Sequence, residues 1–191
     1  MRAVIGQKEQ IVLDADGITC QLRRMAREIM AACGQQLPVL VGIHRRGVPV
    51  AKRLQAILTS AGCPAALGTL DISLYRDDLD NLGSVPVLRS TAVPVPVDGA
   101  RVILCDDVLF TGRTIRAAMD GVMDLGRPAQ ISLAVLIDRG NRELPIQADF
   151  VGLALPTTRT QHVRVFLSEL DGKDAVLLVD GADSTEPKAN D

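Results

Sequence analysis

Aromatic side chains are nearly missing from this chain of 191 residues: it has no tryptophan, one tyrosine (Tyr75) and three phenylalanines (Phe110, Phe150 and Phe166). Stacking platforms for unpaired bases are built from such rings, so binding of single strands by that route lacks material. Charge is equally sparing. The 21 basic residues nearly balance the 23 acidic ones, for a net charge of −2, so any contact with nucleic acid must come from a local basic patch. Cys20, Cys33, Cys63 and Cys105 are far apart, with no Cys-x-x-Cys pair, and only two histidines accompany them. That spacing suits reduced thiols in apolar surroundings and argues against a disulfide framework or a zinc site. No apolar run approaches the ~20 residues that span a bilayer, and the first residues lack a signal-peptide pattern, so a cytoplasmic protein without membrane association is expected. Neither Gly-x-x-x-x-Gly-Lys-Ser/Thr nor a Gly-x-Gly-x-x-Gly after a strand occurs, which removes the usual P-loop and dinucleotide-binding readings. Internal repeats are absent too.

What is present is 47% hydrophobic residues, sufficient for one domain with a well-buried core over residues 1–180. The most informative stretch runs from Val102 to Thr114. An apolar run, Val102-Ile103-Leu104-Cys105, ends in Asp106-Asp107, then Val108-Leu109-Phe110 leads into a Thr111-Gly112-Arg113-Thr114 turn. Ile115, Met119, Val122 and Leu125 continue at helical spacing until Gly126. A strand, a turn and a helix in that order place the turn at the carboxyl end of a strand. There the backbone N–H groups of Thr111 to Thr114 face outward at the positive end of a helix dipole, and Gly112 permits close approach of a phosphate. Asp106 and Asp107, next to that turn, can accept hydrogen bonds from vicinal hydroxyls. A phosphate clamp beside a paired hydroxyl acceptor suits a ribose 5-phosphate.

The rest of the chain alternates. A short strand is expected at residues 10–13. A helix follows, carried by Ile18, Leu22, Met25, Ala26, Ile29, Met30 and Cys33, with Asp16 as its cap and Gly34 as its stop. Val39 to Ile43 reads as a buried strand, His44-Arg45-Arg46-Gly47 as a basic loop, and Val48 to Ser60 as a second helix. A third strand is expected over Ala65 to Leu74 and another over Ile131 to Ile137. Alternation of this kind predicts a mainly parallel α/β sheet flanked by helices, with ligands at its carboxyl edge. Residues 75–98, with three prolines and no helical period, read as a flexible arm. Residues 138–170 read as a small hood over that edge, and residues 181–191 as a disordered tail.

Three loops meet at one edge and offer the parts of a displacement at an anomeric carbon. The Thr111–Thr114 turn suits the 5′-phosphate. Arg45 and Arg46 suit a highly charged leaving group, as a solvated basic turn would also be composed. Asp71-Ile72-Ser73-Leu74-Tyr75-Arg76-Asp77-Asp78-Leu79 is either a lid excluding water from a reacting centre or a surface hairpin.

The Val102–Thr114 stretch resembles the PRPP-binding signature of type I phosphoribosyltransferases. More specifically, Leu40 to Gly47, Asp71 to Leu79, that loop, and Leu133-Ala134-Val135-Leu136-Ile137-Asp138-Arg139-Gly140-Asn141-Arg142-Glu143-Leu144-Pro145-Ile146 together closely resemble the PyrR family, over about residues 10–170. These are pyrimidine operon attenuation proteins with uracil phosphoribosyltransferase activity. The resemblance implies a type I phosphoribosyltransferase fold and the conversion of uracil and PRPP to UMP and pyrophosphate, with Mg²⁺ held mainly by the substrate and no all-protein metal cage. It assigns catalysis to Asp106, Asp107, Arg45, Tyr75 and Arg76. PRPP would be bound by His44, Arg45, Arg46 and Gly47, and by Asp106, Asp107, Val108, Leu109, Phe110, Thr111, Gly112, Arg113 and Thr114. Val135, Leu136, Ile137, Asp138 and Arg139 would approach the base, largely through backbone. Phe110 stands where hypoxanthine-type relatives carry an aspartate, which favours a pyrimidine. The family also implies a homodimer or higher homo-oligomer in which Arg23, Arg24, Arg27 and Arg142 face the leader mRNA of the pyrimidine operon, with UMP strengthening the contact; a solvated helix side would have the same composition. At two positions the chain departs from the family pattern, with Asn141 in place of histidine and Gln147 in place of arginine. The alternatives are an enzyme without RNA attenuation, or an RNA-binding regulator with vestigial catalysis.

Overall fold

A computed structural model describes residues 9–34, 36–73 and 91–181. Five strands, β2 (Val39–Ile43), β3 (Ala66–Leu70), β4 (Arg101–Leu109), β5 (Gln130–Asp138) and β6 (Phe150–Ala154), form one parallel sheet in the order β3-β2-β4-β5-β6. The cause is the run of β-branched and leucine side chains in β2, β4 and β5, which must be covered on both faces. One face packs on α1 (Ala15–Cys33) and α2 (Gly47–Ser60) through Leu40, Ile103, Cys105, Ala134 and Leu136. The other packs on α3 (Arg113–Leu125) through Val41, Val102, Leu104, Leu133 and Val135. Alternate residues of each strand thus serve opposite layers. No helix among the described residues is long and apolar enough to cross a membrane.

A second, smaller sheet of three antiparallel strands, β1 (Glu9–Leu13), β8 (Ala175–Val179) and β7 (His162–Phe166), stands beside the first, with the short α4 (Ser168–Asp171) between β7 and β8. The segment 138–170 is therefore divided: β6 completes the large sheet, whereas β7 pairs with β8, which in turn pairs with β1 from the other end of the chain. Composition does not distinguish these destinations, because both strands alternate buried and exposed positions. Arg53 on α2 fastens the small sheet, reaching Glu169 at 2.6 Å, Asp174 at 2.7 Å and the Ser168 hydroxyl at 2.9 Å.

Several boundaries differ from expectation for local reasons. Asp14 rather than Asp16 caps α1, its carboxylate accepting the Gly17 N–H at 2.8 Å. β3 stops at Leu70, beyond which Asp71 turns back to bind the Ser73 N–H and hydroxyl. Thr69 and Ala92 exchange two backbone hydrogen bonds of 2.9 Å, and Val97 is buried, so the stretch 91–98 lies against the sheet. Cys20 is exposed and Cys63 half-buried, unlike Cys33 and Cys105; all four are free thiols. The assignments made for residues 74–90 and for the 182–191 tail lie outside the described residues.

Gly47 makes the site compact. A Cβ there would lie 2.2 Å from the Cys105 carbonyl oxygen on β4, so only glycine lets the first turn of α2 rest on the central strand. Gly47→Ala is expected to cost about 2–3 kcal/mol, read from urea denaturation, and to depress activity by pushing the basic loop away from β4. Wild-type stability in this variant would contradict that packing.

Candidate active site

The carboxyl edge of the large sheet holds a cleft of about 460 Å³ lined by His44, Arg45, Arg46, Asp71, Ile72, Ser73, Asp106, Asp107, Val108 and Thr114. The loops after β2, β3 and β4 thus open onto one space. The central strand supplies the acids. Asp106 and Asp107 lie within β4 rather than on an exposed loop end, and Asp106 is only 7% exposed. The Asp107 N–H donates to an Asp106 carboxylate oxygen at 2.9 Å. Burial disfavours the charged forms and pushes both carboxyls above their usual range. The adjacent Asp107 charge raises Asp106 further, while contact with Asp106 and the nearby Arg46 partly offset the rise at Asp107. The two groups titrate as a unit.

The other two sides are the basic loop and the phosphate turn. Arg45 is exposed to the cleft, and the peptide joining it to His44 is cis. Arg46 donates to Asp171 of α4 at 2.8 Å, while its Nε is buried without an acceptor among the described residues. The phosphate turn starts with Gly112 at φ 94°, a left-handed conformation that favours glycine, and α3 begins one residue later. Thr114 reaches the cleft, and the Thr111 carbonyl accepts the N–H groups of Glu143 and Leu144 at 3.0 and 3.1 Å. Arg113 turns outward to Glu143 at 2.9 Å. Leu109 is buried in the core.

The residues expected to meet a base separate. Val135, Leu136 and Ile137 are fully buried in β5 and Arg139 just beyond it is 5% exposed, so of these five side chains Asp138 is the one open to a ligand. Arg139 is held by Thr157 Oγ1 and by the carbonyls of Thr158 and Gln161 at 2.7–3.0 Å, with its guanidinium 4.0 Å from the centroid of the Phe110 ring. The expected basic face also divides. Arg23 and Arg27 are exposed on α1, one turn apart. Arg24 instead reaches the Val151 and Gly152 carbonyls at 2.7 and 2.5 Å, tying α1 to β6. Arg142 is drawn into its own loop by Asp138 at 2.6 Å and by the carbonyls of Phe110 and Ile146 at 2.9 Å. Asn141 adopts φ 60°, which asparagine tolerates, and its amide donates to the Thr157 carbonyl at 2.8 Å. Asp71 and Ser73 line the cleft, although the sequence pattern singled them out only as the start of a lid. Tyr75 and Arg76 lie outside the described residues.

A sheet edge of this kind defines a phosphoribosyltransferase, and the comparisons agree: the family model described as phosphoribosyl transferase domain matches residues 10–170. Solved hypoxanthine phosphoribosyltransferase from Trypanosoma cruzi is similar with a TM-score of 0.69 at 17% identity, covering 91% of this chain and 97% of that one. A hypoxanthine-guanine phosphoribosyltransferase from Bacillus anthracis is similar with a TM-score of 0.68 at 16% identity, over 92% and 99% of the two chains. At those identities the likeness concerns the fold alone. Sequence similarity is narrower. The bifunctional protein PyrR of Pelotomaculum thermopropionicum is 54% identical over 179 residues, 93% of this chain and 98% of the relative. That of Thermus thermophilus is 48% identical over 169 residues, 87% and 93% of the two chains. The chain belongs to the PyrR family.

Removing a charge from the acid pair separates stability from activity. Because folding raises these carboxyls above their unfolded values, their neutral forms favour the fold at low pH, and that contribution is lost as pH rises through the raised values. Asp107→Asn should therefore match or exceed the wild-type melting temperature at neutral pH, with the advantage shrinking in acid. Turnover should fall on the order of a hundredfold. A large drop in melting temperature at neutral pH would mark Asp107 as structural.

Proposed function

We propose that this phosphoribosyltransferase converts uracil and PRPP to UMP and pyrophosphate in the cleft after β2, β3 and β4. The observation that carries the reading is the convergence there of an adjacent acid pair, two guanidiniums and the amino end of α3. The backbone N–H groups of Thr111 to Thr114 hold the 5′-phosphate, where the helix dipole favours an anion. Asp106 and Asp107 accept the ribose hydroxyls, and their negative charge favours the oxocarbenium-like state at C1′. Arg45 and Arg46, assisted by His44 and Gly47, take the pyrophosphate. Uracil N1 forms the new bond to C1′ as the bond from C1′ to the pyrophosphate oxygen breaks. The leaving group keeps that electron pair, and the N1 proton is released.

Asp71, Asp106 and Asp107, with the Ser73 and Thr114 hydroxyls, line the cleft with hard oxygen donors suited to a Mg²⁺ held mainly by the substrate; among the described residues no three His, Cys, Asp or Glu side chains, these aspartates included, come together to hold a metal by themselves. Bound with the substrate, the ion supplies charge neutralisation for the departing pyrophosphate. Tyr75 and Arg76 complete the catalytic set that the family resemblance implies. Uracil is preferred because Phe110, under the Arg139 guanidinium, presents an apolar ring where a purine site needs an acid, leaving the end of β5 at Asp138 and Arg139 to read a pyrimidine. Purified protein given PRPP, Mg²⁺ and a panel of bases should release pyrophosphate with uracil and little with hypoxanthine or guanine. Comparable turnover of hypoxanthine would overturn the assignment.

A second activity, UMP-dependent binding of pyrimidine operon leader mRNA by a homo-oligomer, is favoured by Arg23 and Arg27. Neither pairs with a carboxylate among the described residues, and both border an open hollow of about 610 Å³ with Thr19, Cys20 and Met30. Arg24 supports that face by tying α1 to β6, whereas Arg142 is engaged within its own loop. Arg23→Glu with Arg27→Glu should abolish leader binding and leave UMP synthesis intact. In wild type, binding should weaken with salt at a log–log slope near −0.7 per single-strand phosphate contact. Undiminished RNA affinity in the double variant would remove this face from the reading.

A further inference from the structure

We propose that Asp171 is a fixed counter-anion of the pyrophosphate loop, positioning Arg46 while keeping pyrophosphate weakly enough bound to leave. The inference rests on the assignment of Arg45 and Arg46 to pyrophosphate. Asp171 divides its carboxylate. One oxygen accepts the Leu167 N–H at 2.9 Å, closing the turn of α4, and the other accepts Arg46 Nη2 at 2.8 Å. The Leu167 N–H, followed by the charges of Arg46 and Arg45, holds this carboxyl below the usual range, so it is an anion throughout the neutral region. Its side chain is 17% exposed.

The carboxylate is also immobile. Arg53, two turns along α2 from Arg46, grips Ser168, Glu169 and Asp174 on either side of it, and each contact is 2.6–2.9 Å long. α2 itself starts at Gly47, seated on β4. The basic loop and the hood turn are thereby parts of one rigid unit, in which an anion faces the cations meant for the leaving group. Arg46 lines the cleft with its side chain 36% exposed and keeps guanidinium donors beyond the one Asp171 occupies. Pyrophosphate can therefore be bound without displacing Asp171, but it is bound against the repulsion of a neighbouring carboxylate. A site with both arginines uncompensated would hold a multiply charged product more tightly than turnover tolerates.

Calorimetry of the full chain with magnesium pyrophosphate tests this. Asp171→Asn keeps an oxygen for the Leu167 N–H and removes the charge. It should bind pyrophosphate on the order of tenfold more tightly, strengthen product inhibition against PRPP in proportion, and lower kcat while leaving KM for uracil unmoved. Asp174→Asn, which removes a charge directed at Arg53, should bind pyrophosphate as wild type does. If melting shows that Asp171→Asn is poorly folded, Asp171→Ser offers a shorter acceptor for the same turn. Unchanged or weaker pyrophosphate binding by a folded Asp171 variant would overturn the inference and leave the reaction assignment standing. Wild type that fails to bind pyrophosphate at all would overturn both.

Discussion

Two adjacent carboxylates in the middle strand of a parallel sheet, Asp106 buried and Asp107 half-buried, constrain everything around them. β4 is bonded on one side to β2 and on the other to β5, so Asp106 and Asp107 are fixed in the strand and meet water only through the cleft. Placing like charges side by side away from water is unfavourable, and the chain relieves the cost only in part, with hydrogen bonds from the Asp107 and Val108 N–H groups and the approach of Arg46. The remaining cost is stored where ribose hydroxyls and a substrate-borne cation can relieve it. An active site of this kind gains affinity by being incompletely satisfied on its own.

Arginine is used in two ways. Arg24, Arg53, Arg139 and Arg142 direct their planar forks at backbone carbonyls and carboxylates of distant segments, fastening α1 to β6, α2 to the hood turn, and the loop after β5 to the phosphate turn. In a chain with four aromatic rings, these forks do much of the long-range joining that large rings often do elsewhere. Arg23, Arg27 and Arg45 stay exposed and are available to partners. Arg46 stands between the two groups, tied to Asp171 yet facing the cleft.

The sequence was most legible where local chemistry repeats a short-range rule. The switch from an apolar run to Asp-Asp to Thr-Gly-Arg-Thr placed a strand, a turn and a helix in the right order, since Gly112 needs its positive φ and Ile115, Ala118 and Val122 share one face of α3. Less legible was anything decided by partners far along the chain. That Val135 to Ile137 are sealed in the core follows from their being flanked by β4 and β6. That Arg24 and Arg142 are structural follows from carbonyls 127 and 32 positions away. Spacing marked these arginines as cations without showing what they meet. Asp171 carried no signal at all: an acidic residue in a short turn acquires a role only once α2 has brought Arg46 to it.

The most direct test of the central claim, that folding raises the acid pair above its usual range and that substrate relieves the rise, is the buffer dependence of the heat of PRPP binding. Titrations with Mg²⁺ at mildly acidic to neutral pH, in buffers of differing ionisation enthalpy, count the protons exchanged, and the difference between wild type and Asp107→Asn isolates those of the pair from those of PRPP. The account expects wild type to release more protons than the variant, with the difference vanishing as pH rises through the pair's raised range. Equal proton release by the two proteins across that range would contradict it.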